Sequence, residues 1–409
     1  MRPGTNLPWV GSYNRGIVLE AIRLNEGASR AEIARRTGLT PQTVSNIVRR
    51  LLQEGLVKEA GRQVTASRKP RTRLRVNPEA GHAIGVQIDG WETSLVVVNL
   101  AGEILDRRSH PTVPGEPPEA ALAAIAEAVA GLISSSGIPE DAFMGLGVAC
   151  PGPLDAERGI VHHPPNLQGW HEVDLKGALE ERLGIPTAAD NDATAAAIGE
   201  RWFRGAREAH NFLFVYMGIG LGAGLYIEDQ VYRGSAGMAG ELGHVVVDPR
   251  GPQCSCGNQG CLETFCSPVA ILEAVNRRLK AGQASSLRGR LPTNSKREAF
   301  GAIARAAAEG DDLGRQEVAR AASVLAAAVS DAIALLDLEL VVLGGRGFRH
   351  ASEIYRASIE KALSRVIGAQ HRKVRVELSE VGEEAGAVGA ASLVFHAAYA
   401  PPRTGGLTR

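Results

Sequence analysis

Between His244 and Cys266 the chain reads HVVVDPRGPQCSCGNQGCLETFC, and four of its five cysteines fall in that stretch. His244, Cys254, Cys256 and Cys261 form a His-x9-Cys-x-Cys-x4-Cys pattern. Three thiolates and an imidazole complete the tetrahedral set of a zinc ion and leave no open position, which marks a structural site. Gly251, Gly257 and Gly260 allow so short a loop to wrap an ion. A group of buried or redox-active thiols is the alternative, but the ligand spacing favours zinc. Cys266 is one thiol too many and Cys150 lies far away in sequence, so both read as core residues. An odd number of cysteines cannot all pair with one another.

The opening MRPGTNLPWVGSYNRG lacks the apolar core of a signal peptide, and no run of about 18 uncharged apolar residues occurs. A cytoplasmic protein with reduced thiols is the expectation. A length of 409 residues implies two or three units rather than one.

The net charge of zero hides an asymmetry: residues 1–80 hold 15 Lys+Arg against 6 Asp+Glu, the remainder 30 against 39. A basic head on an acidic body directs a polyanion to the head alone. Within the head, GIVLEAIRLNEG has apolar residues at helical spacing. Ser29 and Glu32 have the spacing of a capping box. Thr40 suits an N-cap, Pro41 a first helical position and Gly55 an exit. Val44, Ile47, Val48, Leu51 and Leu52 form the apolar stripe of this last helix. Gln42, Thr43, Ser45, Asn46, Arg49 and Arg50 occupy its other faces. Two short helices around a Gly-containing turn read as a helix-turn-helix, with Gln, Ser and Asn placed for base edges and Arg for phosphate or guanine. The following LVKEAGRQVTASRKPRTRLRV predicts a two-stranded wing that carries Arg68, Lys69 and Arg71 toward phosphates or the minor groove. A helical hairpin for protein contacts is the other reading; wing and charge favour DNA. Residues 1–11 are expected to be loose.

From His82 the texture changes to a meander of three strands, a helix near 118–135, and alternating strands and helices. The order then restarts at NFLFVYMGIGLGAGLYIEDQVYRG. A repeated α/β unit of this kind makes two lobes with a cleft between them. Two more features point into that cleft. MGIGLGAG (217–224) is a Gly-rich turn between strands whose bare amides suit a phosphate. ADNDA (189–193) lies at a strand end before a helix, where Asp192 either accepts from a substrate hydroxyl or caps the helix.

Together GELGH…CSCGNQGCLE, ADNDA, PNLQGW (165–170), GIGLGAG and VVLGG resemble the ROK family of repressors, open reading frames and sugar kinases over residues 80–398. The head resembles that of the family's transcriptional regulators, such as the xylose and N-acetylglucosamine repressors. The resemblance implies a winged helix-turn-helix over residues 12–76, followed by an actin-like, RNase H-type body in two lobes, 82–200 and 201–382. The C-terminal helix, 383–398, would complete the first lobe. It also implies a sugar pocket in which Asn191 and Asp192 hold hydroxyls and Glu241, His244 and Glu263 line the other side, Asp192 being the base in kinase members. The zinc would then fix Glu241 and Glu263 from outside the pocket, because His244 and Cys261 lie next to them in sequence.

The sequence departs from the family's kinases at their Asp-x-Gly-Gly-Thr phosphate motif. Gln87 stands for the Asp, Asp89 for a Gly and Trp91 for the Thr, while Ile219 replaces a Thr of the second turn. These losses weaken a phosphate clamp, although Asp89 in a shifted register would restore a carboxylate. The expected function is a sugar-responsive DNA-binding regulator, most often a repressor. It would bind operator DNA as a homodimer or homotetramer and answer to a sugar or sugar phosphate. A sugar kinase with a DNA-binding head and a regulator governed by a protein partner are the alternatives.

Overall fold

The computed structural model describes residues 7–64, 70–203, 209–368, 370 and 373–401. The chain opens with α1 (Leu7–Leu24), α2 (Arg30–Thr37) and α3 (Pro41–Gln53), then β1 (Val57–Val64) and β2 (Pro70–Val76). Strands β1 and β2 pair antiparallel as the wing. Of the segment expected to be loose, residues 1–6 lie outside the described residues, and helix α1 begins within the rest, with Pro8 in its first turn, where the missing N–H leaves no bond unmade. The Ser29 amide and hydroxyl donate to Glu32 Oε2 at 2.8 and 2.7 Å, and Thr40 Oγ1 accepts from the Thr43 amide at 3.2 Å. Gly38, at φ 69°, turns α2 into α3 in a conformation that favours glycine. Val18, Ile22, Ile33, Val44, Val48, Leu51 and Leu74 close the head core.

The body repeats one topology. Its first lobe runs β3 (His82–Ile88), β4 (Glu92–Asn99), β5 (Ile104–Pro111), α4 (Pro118–Ser136), β6 (Phe143–Cys150), the short strands β7 (Leu154–Asp155), β8 (Ile160–Val161) and β9 (Val173–Asp174), α5 (Leu175–Leu183), β10 (Thr187–Asn191) and α6 (Asp192–Phe203). The second runs β11 (Phe212–Met217), β12 (Leu221–Ile227), β13 (Gln230–Tyr232), α7 (Glu263–Cys266), α8 (Pro268–Lys280), α9 (Lys296–Ala308), α10 (Asp312–Leu336), β14 (Leu340–Gly344), α11 (Ser352–Leu363), β15 (Arg375–Leu378) and α12 (Ala385–Tyr399). The sheet orders are β5-β4-β3-β6-β10 and β13-β12-β11-β14-β15. In each, an antiparallel meander is extended by two parallel strands.

Helices α4 and α10 are long and apolar enough to cross a bilayer by length and composition, which a search for uncharged runs does not register. In the fold α4 buries Leu122, Ile125, Val129 and Leu132 in the first lobe, and α10 buries Leu325, Val329 and Ile333 in the second. Helix α12 returns to the first lobe. A Cβ on Gly85 of β3 would fall 2.7 Å from the Ala391 nitrogen, so the helix lies directly on the sheet.

Candidate functional site

Each meander delivers its first turn to the interface between the lobes. The β3–β4 turn holds Asp89, Gly90 and Trp91, and the β11–β12 turn holds Gly218, Ile219 and Gly220. The two turns and the Asn166 loop touch: a Cβ on Gly90 would lie 2.9 Å from the Asn166 carbonyl oxygen and 3.2 Å from Ile219 Cδ1.

At one end of this cleft, Asn191 Oδ1 accepts from the amides of Ala193 and Thr194 at 3.0 and 3.3 Å. Asn191 is therefore the residue that caps α6, and its Nδ2 is turned toward Gly152, 3.2 Å from where a Cβ would stand. Glu241 Oε1 flanks the same glycine at 3.4 Å. Asp192 accepts from the Ala193 amide at 2.8 Å through Oδ1. Burial, then the facing charge of Asp89, then Glu241 push the Asp192 carboxyl up to about 7. Burial also raises Glu241, with His244 opposing and Glu263 adding to the rise. Glu263 Oε2 faces the Gly-rich turn, 3.4 Å from a Cβ built on Gly220. A cavity of about 510 Å³ opens beside Asn166, Gly220 and Glu263 and runs along α8 to Arg277. Among the five residues expected to hold sugar, Glu263 lines that cavity, while Asn191, Asp192, Glu241 and His244 stand off it.

The other end is filled by the protein itself. Asp89 Oδ1 accepts from the Trp91 amide at 2.9 Å, and Oδ2 from the Ile219 amide at a long 3.4 Å. A Cβ on Gly218 would meet Oδ2 at 2.7 Å. This carboxylate thus lies on the turn that was expected to cradle a phosphate. Burial raises its pKa; the two amides and the charges of Arg346 and Arg297 oppose that rise. Gln87 is buried, hydrogen-bonds the Tyr216 hydroxyl, and packs on Gly386 of α12. Beside it Glu92 pairs with both Arg346 and Arg297, and Arg346 Nη2 donates to Ser94 Oγ at 2.9 Å. Asn166, Tyr216, Arg297 and Arg346 were not singled out from sequence. PNLQGW carried a signal for Asn166; nothing local marks the two arginines, which reach Glu92 from other elements.

His244, Cys254, Cys256 and Cys261 place one ligand atom each within 4.8 Å of one another. Cys256 Sγ and Cys261 Sγ are 3.6 Å apart, as are Cys254 Sγ and His244 Nδ1. Zn–S bonds near 2.3 Å at tetrahedral angles give edges of about 3.8 Å, so spacing and donor chemistry both fit a metal ion. The imidazole divides its nitrogens: Nδ1 faces Cys254, and Nε2 lies 3.9 Å from Glu241 Oε2. Nδ1 is also 3.6 Å from Glu263 Oε1. The cysteine loop and the two carboxylates therefore meet at one side chain. Cys150 and Cys266 are buried.

On the head, Gln42, Asn46 and Arg49 are exposed along one face of α3, with Gln42 Nε2 donating to Asn46 Oδ1 at 3.3 Å. Thr43 and Ser45 are half-buried beside them, and Arg71 lies at the start of the second wing strand. Arg68 and Lys69 lie outside the described residues.

Residues 83–397 match the ROK family and residues 12–65 the MarR family. The chain is 28% identical over 383 residues to the xylose repressor of Caldicellulosiruptor bescii, covering 93% of this chain and 95% of that one. A solved ROK family transcriptional regulator, a homologue of the Escherichia coli MLC protein, superposes with a TM-score of 0.77 at 26% identity over 96% of this chain and 97% of its own. A ROK glucokinase from Streptomyces griseus, solved with glucose and AMPPNP, covers 76% of this chain and 99% of its own with a TM-score of 0.68 at 32% identity. A winged head stands on a duplicated, actin-like body whose match spans most of the chain: this protein belongs to the ROK family.

Proposed function

We propose that the protein is a sugar-responsive DNA-binding transcriptional regulator, a repressor of carbohydrate genes, and not a kinase. The observation that carries this reading is the contrast within one cleft. Its hydroxyl-binding end keeps Asn191, Asp192, Glu241 and Glu263, while Asp89 lies on the phosphate turn below a basic winged head. A carboxylate there repels a nucleotide's phosphates and takes an amide they need.

Asn191 and Asp192 hold sugar hydroxyls from one side; Glu241, His244 through Nε2, and Glu263 hold them from the other. His244, Cys254, Cys256 and Cys261 bind a structural zinc, which supplies no chemistry beyond fixing the loop that carries Glu263. Gln42, Thr43, Ser45, Asn46 and Arg49 enter the major groove, and Arg71, with Arg68 and Lys69 of the wing tip, meets phosphates. Helix-turn-helix proteins read paired half-sites, so the working unit is a homodimer or a homotetramer, in the cytoplasm where the DNA is. Relatives named for xylose supply the first candidate effector, and whether the effector is the free sugar or its phosphate is left to the test.

A kinase reading has one feature in its favour: burial and the charge of Asp89 push the Asp192 carboxyl up to about 7, the range that suits a general base. Thermal unfolding with D-xylose, D-glucose, N-acetyl-D-glucosamine and their phosphates, each with and without ATP-Mg, separates the two. A rise in Tm with one sugar, unchanged by ATP, is the expected result. ADP release with any sugar would overturn it.

A further inference from the structure

Helix α6 has Asp192 at its first position and Arg201 and Trp202 in its last turn. The far end of that helix is where the DNA-binding head is seated. Arg23 of α1 donates through Nη1 to the carbonyl oxygens of Arg201, at 2.9 Å, and Trp202, and its guanidinium lies 4.3 Å over the Trp202 ring. Arg201 Nη2 reaches both Glu20 of α1, at 3.2 Å, and Asp229 of the β12–β13 turn, at 2.6 Å. Arg23 and Arg201 are both buried, so this joint is no solvated surface contact. One apolar cluster runs without a break from Val18 and Ile22 of α1 to Trp202, Phe203 and Phe395.

The helix does not act alone. A Cβ on Gly199 would fall 2.8 Å from the Gly389 Cα, and one on Gly389 would meet the Ala196 nitrogen at 2.6 Å. At such a distance α6 and α12 have no side chain between them and must move as one body. Helix α12 begins beside Gln87 of the cleft. It ends at the head, where a Cβ on Gly16 would lie 2.9 Å from Pro401. The second lobe grips the pair as well, through Ser379 Oγ donating to Glu200 Oε2 at 2.6 Å and through Asp229. Both lobes therefore bear on one rod, of about 18 Å at 1.5 Å per residue, whose ends are the cleft and the head.

We propose that the α6–α12 pair is the mechanical link between effector and DNA, and that Arg23, Glu20, Arg201 and Trp202 form its output joint. A change in lobe closure at Asp192 is delivered as a shift of α1. Since α1 packs on the rest of the head core, that shift reorients α3 and its partner copy's α3 on the two half-sites. The proposal rests on the sugar-responsive reading of the cleft. A ligand moves such an equilibrium only by its difference in affinity for the two arrangements, so the joint sets coupling and leaves intrinsic sugar affinity unchanged. Arg23 and Arg201 are positioning residues and touch neither ligand.

The test is amide hydrogen exchange on the full chain with D-xylose, D-glucose and N-acetyl-D-glucosamine as probes. The expected result is protection of 188–193 and 241–244 by one sugar, together with a change in exchange over 16–24. In Arg23→Lys, which keeps the charge but loses the guanidinium fork, the cleft protection persists and the change over 16–24 is lost. Cleft protection with no change over 16–24 in the wild type, or with an undiminished change in Arg23→Lys, overturns the link and spares the sugar reading. If no sugar protects the cleft, the sugar reading falls and the link is judged by Gly199→Ala, which pushes α6 away from α12 without any ligand. Altered exchange over 16–24 in that variant, with the zinc loop unchanged, supports the link; unaltered exchange overturns it.

Discussion

One end of the cleft is the junction of β10 with α6, the other is the pair of meander turns around Asp89, and the two have opposite fates. At the Asp192 end, the helix cap is supplied by Asn191 Oδ1, which leaves the Asp192 carboxylate turned toward its neighbours in the cleft. At the Asp89 end, the amides of Trp91 and Ile219 go to the protein's own carboxylate, and Glu92 gathers Arg297 and Arg346 from the opposite lobe. A fold of this kind binds at a site only where its polar groups are left unmatched. Matching them internally is a way to retire a site without disturbing the scaffold.

The largest predicted effect breaks the open end alone. Cys261 is fully buried and stands 3.6 Å from Cys256 Sγ. Its replacement by serine, or removal of the metal with a chelator, should free the loop that carries Glu263 and lower Tm by roughly 10 °C or more, as loss of a structural metal does. Sugar-induced stabilisation should vanish with it. The Asp89 end contains none of these ligands, so exchange at 87–92 should stay as in the wild type. Plasma emission spectroscopy for zinc, with calorimetric Tm, checks both parts.

Next comes Asp192→Asn. The folded pKa, about 7, lies above that of an unfolded aspartate, so the native state holds the extra proton. Stability from this group is complete below pH 4 and is lost as pH rises through about 7. The wild type should therefore weaken between pH 4 and 7 and level off above. Asn lacks the ionised state, so the variant should lose that slope and gain a few kcal/mol at pH 8, at roughly 1.4 kcal/mol per pKa unit. It should also lose sugar binding. Urea unfolding across that pH range reads the first effect, and a variant with the wild-type slope would remove Asp192 from its assigned environment.

These two predictions rest on features of different visibility. The His/Cys cluster that could hold a metal ion, the capping box and helix α3 were legible because each is a pattern of near neighbours, enforced by loop closure or helical pitch. The repeated topology was legible from the restart of strand order at Phe212. What sequence left open was whether Asp192 caps α6 or meets a substrate hydroxyl, since an aspartate at a helix start suits either and only the backbone path decides. The role of Asp89 was also open, because its partner Ile219 is 130 residues away and no local rule connects the two turns. The same holds for the joint of Arg23 with Arg201, where neither residue is unusual among its own neighbours.

Asp89→Gly turns the comparison around by emptying the closed end. It removes the carboxylate from the Ile219 amide and from the side of the cleft that faces Asp192. ATP-Mg, expected to leave the Tm of the wild type unmoved, should raise that of the variant by a degree or two, a small shift because Gln87 and Trp91 remain. An equal response of wild type and variant to ATP-Mg would mean that Asp89 does not guard the turn.

The smallest effect is electrostatic. The charge of Asp89 stands second only to burial among the causes that raise Asp192. Asp89→Asn keeps the shape of the turn and one acceptor oxygen while removing that charge, so Asp192 should ionise at a lower pH. A hydroxyl donated to Asp192 favours its ionised form, which makes sugar binding release a proton when the carboxyl starts out protonated. Titration calorimetry at pH 6 in buffers of different ionisation enthalpy should find proton release on sugar binding to the wild type. The release should be smaller in Asp89→Asn, because less of Asp192 carries a proton before the sugar arrives. Equal release in both would mean that the two ends of the cleft do not sense each other's charge, and that the closed end acts only by filling space.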